Sequence, residues 1–128
     1  MGNLVWIGMG GFVGAVLRYL TNNLFQNITR STGFPYGTLI VNIIGSFIIG
    51  LLFFYFESNS SIAPQTKAFA LVGVMGAFTT FSTFSNETFD LFQGGEVMRA
   101  MMNMGAHGLL GLLAVWSGRM LPVLISKQ

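Results

Sequence analysis

The chain has 128 residues, of which 52% are hydrophobic and 8% charged, against roughly 25% charged in an ordinary soluble domain, and that balance marks an integral membrane protein. It carries no cysteine and one histidine, which excludes a disulfide framework, a thiolate metal site and a multi-histidine centre, so metal-assisted hydrolysis is not expected. The formal net charge of +2 is spread thinly and supplies neither a basic patch for nucleic acid nor a polybasic lipid-binding cluster.

Crossing the hydrocarbon takes about 20 apolar residues, and four stretches of that order occur, at about 3–25, 36–56, 66–92 and 97–124. Together they read as one all-α, four-helix transmembrane domain over residues 1–128. The first stretch lacks a basic leader and an Ala-x-Ala cleavage site, so it reads as a retained span rather than a signal peptide. It contains Gly8, Gly10, Gly11 and Gly14, and the four-residue spacing of Gly10 and Gly14 suits close helix packing. Arg18 follows one turn later. A charge at that depth costs at least about 2.5 kcal/mol unless paired or wetted, so Arg18 either borders a pathway or snorkels to the near interface.

In the second span Thr38, Asn42 and Ser46 are spaced i, i+4, i+8 and share one helical face. Asn42 offers two N–H donors and an acceptor, suited to an anion or to a clasp on a neighbouring helix. Beside the polar run of the third span, the pathway reading is favoured. That run is Gly76-Ala77-Phe78-Thr79-Thr80-Phe81-Ser82-Thr83-Phe84-Ser85-Asn86. Lipid gives hydroxyls and amides no partner, so such groups line a cavity, satisfy a broken backbone or bind something. Gly73 and Gly76 loosen the helix, and Thr79, Thr80, Ser82 and Thr83 can bond freed carbonyls, so a break is expected there. Its carbonyls would seat a small cation such as Na⁺, and its N–H groups and hydroxyls would suit anions. Phe78, Phe81 and Phe84 recur every three residues, either as packing or with positive ring edges turned to an anion.

Short connections at 26–35, 57–65 and 93–95 carry Gly and Pro, and Trp6, Tyr19, Tyr36, Tyr55 and Trp116 fall toward span ends. Glu87, Asp90 and Glu96 read as an interfacial acidic cluster. The first two spans hold no carboxylate before Glu57, which argues against proton-coupled antiport. His107, one turn after Asn103, is the other titratable group at a core position, and a buried neutral imidazole bonded to a neighbour is the expected state. Lys67, Arg119 and Lys127 fall toward the side of the termini and Arg18, Arg30 and Arg99 toward the other. The positive-inside rule therefore does not choose an orientation, which makes an antiparallel homodimer possible.

Gly10-Gly11-x-x-Gly14-x-x-x-Arg18-Tyr19, Gly37-Thr38-Leu39-x-x-Asn42-x-x-Gly45-Ser46, Gly73-x-x-Gly76-x-x-Thr79-Thr80-Phe81-Ser82-Thr83-Phe84-Ser85 and Gly111-Leu112-x-Ala114 resemble, in order and over essentially the whole chain, the Fluc (CrcB) fluoride channels. The resemblance implies an antiparallel dual-topology homodimer in the bacterial plasma membrane, with two fluoride pathways and a Na⁺ at the dimer centre. It implies passive export of fluoride from the cytoplasm, giving fluoride resistance, and no enzymatic activity. Phe81 and Phe84 then look like the pore aromatics, Asn42 the pore-facing donor, and Ser82 and Thr83 polar-track residues, with Thr38 and Ser46 on the same lining face as Asn42. Gly76 and Thr79 look like carbonyl donors to the Na⁺, and Arg18 like the vestibule arginine. His107 departs from the small hydroxyl residue expected there, which raises pH-dependent conduction. The bare residues do not identify fluoride; the resemblance does. A small multidrug exporter shares four short spans but needs a carboxylate deep in the first, where this chain has glycines and Arg18. A non-transporting assembly subunit would satisfy the same polar groups between helices with no continuous path.

Overall fold

A computed structural model describes residues 2–30 and 33–126; Lys127 of the charge count lies outside them. Every regular element among the described residues is helical. Helix α1 spans Gly2–Thr29 and α2 Tyr36–Ser58. The third span is built in pieces: α3 (Pro64–Lys67), a π-helical segment (Ala68–Met75), α4 (Gly76–Phe78) and α5 (Phe81–Gln93). Helix α6 covers Val97–Ile125. Four units, Gly2–Thr29, Tyr36–Ser58, Pro64–Gln93 and Val97–Ile125, are long and apolar enough to cross a membrane.

Helix α1 runs a turn beyond its expected end and stops at Thr29, where Arg30 turns to a positive φ of 48°. The Thr29 hydroxyl bonds back to the Phe25 carbonyl at 2.9 Å, compatible with continued helix. Pro64 opens the third span at a first-turn position where its missing N–H has no intrahelical partner to lose.

Glycines decide which helices touch backbone to backbone. A Cβ on Gly10 would meet the Phe69 carbonyl and lie 3.0 Å from the Gly73 Cα, and one on Gly73 would lie 2.8 Å from the Gly10 Cα. The spaced glycines of α1 thus seat the π-helical segment, as small-residue faces do between membrane helices. Helices α2 and α6 meet in the same manner, where a Cβ on Gly50 would come 3.2 Å from the Gly118 Cα. Between these contacts lies a small apolar core of Val41, Met75 and Phe78, with Ile44, Ile48, Ile49, Leu52 and Val74 packed against it. Most other large apolar side chains, including Leu4, Phe12, Leu20, Leu112 and Trp116, face outward. In water that surface would aggregate; in a bilayer it meets its own kind.

The ends carry the charges. At one end Arg119 approaches Glu57 at 3.6 Å and lies over the Phe53 ring, while Lys67 donates to the Phe56 carbonyl at 3.3 Å. At the other, Arg99 pairs with Glu96 and reaches the Gly33 carbonyl at 3.4 Å.

Candidate anion pathway at the helix break

The third span breaks at two residues. Thr79 (φ −79°, ψ 154°) and Thr80 (φ −148°, ψ 118°) are extended between α4 and α5, which strips backbone groups of their helical partners inside the membrane. Asn42 of α2 answers with both ends of its amide: Nδ2 donates to the Thr80 carbonyl at 3.0 Å and Oδ1 accepts from the Thr80 N–H at 2.8 Å. The Thr80 hydroxyl caps α5 by accepting from the Thr83 N–H at 3.3 Å, and the Thr79 hydroxyl donates to the Met75 carbonyl at 3.0 Å. Gly45 gives the break room against α2, since a Cβ there would meet the Thr79 methyl and stand 3.1 Å from the Phe78 ring.

These bonds have a consequence for two carbonyls. In an unbroken α-helix the Thr80 N–H would donate to Gly76 and the Thr83 N–H to Thr79. Here Asn42 and the Thr80 hydroxyl take those donors instead. Gly76 and Thr79 are the pair singled out as cation donors, and Gly76 is exposed. Among the described residues no group of three or more His, Asp or Glu is placed to hold a metal ion, so a cation here would draw on backbone oxygens such as these.

On the other side of the break a cleft of about 620 Å³ is lined by Asn42, Ser46, Thr79, Thr80, Phe81, Phe84 and His107, among others. The aromatic repeat splits at this point: Phe78 is 6% exposed and belongs to the core, whereas Phe81 is 79% exposed and Phe84 is half-buried. The rings of Phe81 and Phe84 lie tilted with centroids 5.6 Å apart. One amide hydrogen of Asn42 is committed to Thr80, and the amide carries a second beyond it. No carboxylate lines this space.

Thr38 and Thr83 fall elsewhere. They border a second cavity of about 170 Å³ together with Arg18, Asn22 and Val41. Asn22 also borders a third, of about 330 Å³, with Gln26, Glu87, Asp90 and Glu96. The Thr80 hydroxyl ties these regions together, donating to Thr83 Oγ1 at 3.0 Å and lying 3.4 Å from the Ser82 hydroxyl. Of the candidates, then, Asn42, Ser46, Phe81 and Phe84 share the cleft, Thr38, Thr83 and Arg18 share the adjoining cavity, and Ser82 sits exposed on the first turn of α5.

Three roles were not read from the sequence. Thr80, expected only to bond freed carbonyls at the break, receives the Asn42 clasp. Glu87, assigned to an interfacial cluster, accepts from the Thr38 hydroxyl at 2.6 Å and is half-buried. Thr88 accepts from the wholly buried Asn103 at 2.9 Å. Their spacing carries a weak signal, since Glu87 and Thr88 fall one turn beyond Thr83 and Phe84.

Residues 5–119 match the family model described as CrcB-like protein, Camphor Resistance (CrcB). The chain belongs to the CrcB family. A relative from Shewanella halifaxensis, named fluoride-specific ion channel FluC, is 45% identical over 121 residues, covering 94% of this chain and 96% of the relative. One of the same name from Flavobacterium psychrophilum is 39% identical over 128 residues, covering 100% and 99%. Another from Sulfurovum sp. is 48% identical over 118 residues, covering 92% and 91%. The CrcB match runs from α1 into the second half of α6, so it includes the break, the cleft and both neighbouring cavities.

Proposed function

We propose that this chain forms a fluoride-selective channel that passes the ion passively through the plasma membrane of a bacterial cell, exporting it from the cytoplasm and so giving fluoride resistance. The observation that carries the reading is a membrane-depth cleft, opened by the Thr79–Thr80 break, whose polar lining is neutral. Fluoride is small, hard and strongly hydrated, so a passage must offer good donors in place of water and still let the ion go. The Asn42 amide and the Ser46 hydroxyl supply donors without a fixed charge to trap it, while the Thr79 and Thr80 hydroxyls are spent on Met75 and Thr83. Phe81 and Phe84 add positive ring edges in a wall otherwise too apolar for an anion. Arg18, at the adjoining cavity, raises the local anion concentration before entry. The protein performs no bond chemistry; it lowers a barrier to permeation.

One chain leaves the cleft open on one side, with Phe81 facing outward. Two copies in antiparallel orientation, which the balanced cations permit, close it and provide two pathways per dimer. The Gly76 and Thr79 carbonyls, freed from helical donors, would together with their symmetry mates hold one Na⁺ at the two-fold axis. That ion supplies a fixed positive charge between two anion paths and a tie between subunits.

Fluoride release from potassium-loaded liposomes containing only this protein tests the reading. Adding valinomycin to carry counter-charge should release fluoride and retain chloride. Release that needs an imposed proton gradient would indicate an exporter, and no release would indicate an assembly subunit.

A further inference from the structure

His107 is the titratable side chain lining the cleft, and the conduction scheme leaves it unused. Its ring lies 4.2 Å from that of Phe84, centroid to centroid, at an interplanar angle of 38°. Its Nδ1 is 3.0 Å from the Asn103 carbonyl, which can only accept, so Nδ1 carries the proton of the neutral ring. Nε2 is then a lone pair, buried and with no partner at hydrogen-bond distance, although the Thr38 backbone of α2 also faces the ring. The contacts close on themselves. Thr88 donates to the Phe84 carbonyl at 2.7 Å, Asn103 donates to Thr88 at 2.9 Å, the Asn103 carbonyl holds His107, and His107 stacks on the Phe84 ring. Helix α6 thereby holds both the backbone and the ring of Phe84, itself a lining residue of the cleft.

We propose that His107 is a positioning residue for Phe84 and that a proton on its imidazole slows fluoride permeation. The proposal rests on the fluoride-channel reading. A neutral ring behind Phe84 only packs. A protonated ring sets a cation on the π face, draws electron density toward it and makes the opposite edge more positive. The imidazolium adds its own attraction at the cleft wall. Both strengthen the hold on the anion, and an ion held too well leaves too slowly. Other charged groups nearby are few. Helix α5 brings Glu87, bonded to Thr38, and α1 brings Arg18 at the adjoining cavity. Helix α2 has no acidic or basic residue between Tyr36 and Glu57, and α6 has no other between Arg99 and Arg119.

The test is valinomycin-driven fluoride efflux at about pH 7.5 and about pH 5.5, on either side of the usual histidine range, with leak from protein-free liposomes subtracted. The wild-type rate should fall about two- to five-fold at the lower pH, the scale of a cation–π contact. His107→Phe keeps a ring against Phe84 but cannot be protonated, so its rate should stay near the neutral-pH wild-type value at both pH values. His107→Ala removes the ring and should be slower at both, with no pH response. Glu87→Gln should retain the acid-induced fall. Each variant is first checked for wild-type elution in detergent, with His107→Asn replacing any that fails. A flat wild-type profile, a fall that persists in His107→Phe, or one that vanishes in Glu87→Gln overturns the role of His107. A wild-type protein that passes no fluoride at either pH contradicts the channel reading itself.

Discussion

Asn42 does two jobs with one amide. Two of its bonds close the open backbone of Thr80, and its side chain also lines the cleft with a second N–H unspent on Thr80. Asn42→Ala should therefore cost about 1–3 kcal/mol, because it leaves both backbone groups of Thr80 without partners, and fluoride flux should collapse with it. Thermal unfolding in detergent reads the first effect and liposome efflux the second; wild-type stability would mean the break is held by something else. Phe81 and Phe84 separate packing from anion contact more cleanly. Replacing either by Ile keeps bulk and apolarity, so a packing role predicts a loss of about 1 kcal/mol with conduction intact. The cleft geometry predicts folded protein with sharply reduced flux. The polar string and Asn42 were legible because hydroxyls and amides stand out in an apolar span. The Asn42–Thr80 pairing was not, since 38 residues separate the partners and only the packing of α2 on the break brings them together.

At the scale of elements, the break depends on capping and on glycine contacts. Thr80→Val removes the hydroxyl that caps α5, which should cost about 1 kcal/mol and let the first turn fray beside Phe81 and Phe84. Gly10→Val places a side chain against the Phe69 carbonyl and the Gly73 backbone, and no rotamer avoids the clash because Cβ itself collides. Its expected outcome is little folded protein on extraction, whereas Gly8→Ala, with open space at that Cβ, should extract normally. Span positions were readable to within a few residues because hydrophobic length and breakers act locally. The π-helical turns of Ala68–Met75 were not, since neither Gly73 nor any other residue in the segment dictates an extra residue per turn. The split of Phe78 from Phe81 and Phe84 was hidden too: a three-residue repeat implies one face only while the helix is continuous.

At the scale of the whole molecule, the proposed channel requires two copies and, as proposed, a Na⁺ between them. Adding several lysines to one terminus should force a single orientation and abolish flux, and co-expression with an oppositely biased copy should restore it. Prolonged replacement of Na⁺ by a large organic cation should slowly reduce flux or loosen the dimer, with no requirement for a Na⁺ gradient. Unchanged flux and dimer stability would mean the Gly76 and Thr79 carbonyls are satisfied without an ion. The central claim is selective, uncoupled fluoride permeation, and the reversal potential of the purified protein in a planar bilayer tests it most directly. With a tenfold fluoride gradient and chloride equal on both sides, current should reverse at ~59 mV, the value for one charge per decade, unmoved by an opposing pH gradient. A reversal potential that follows the pH gradient, or sits near zero, would contradict it.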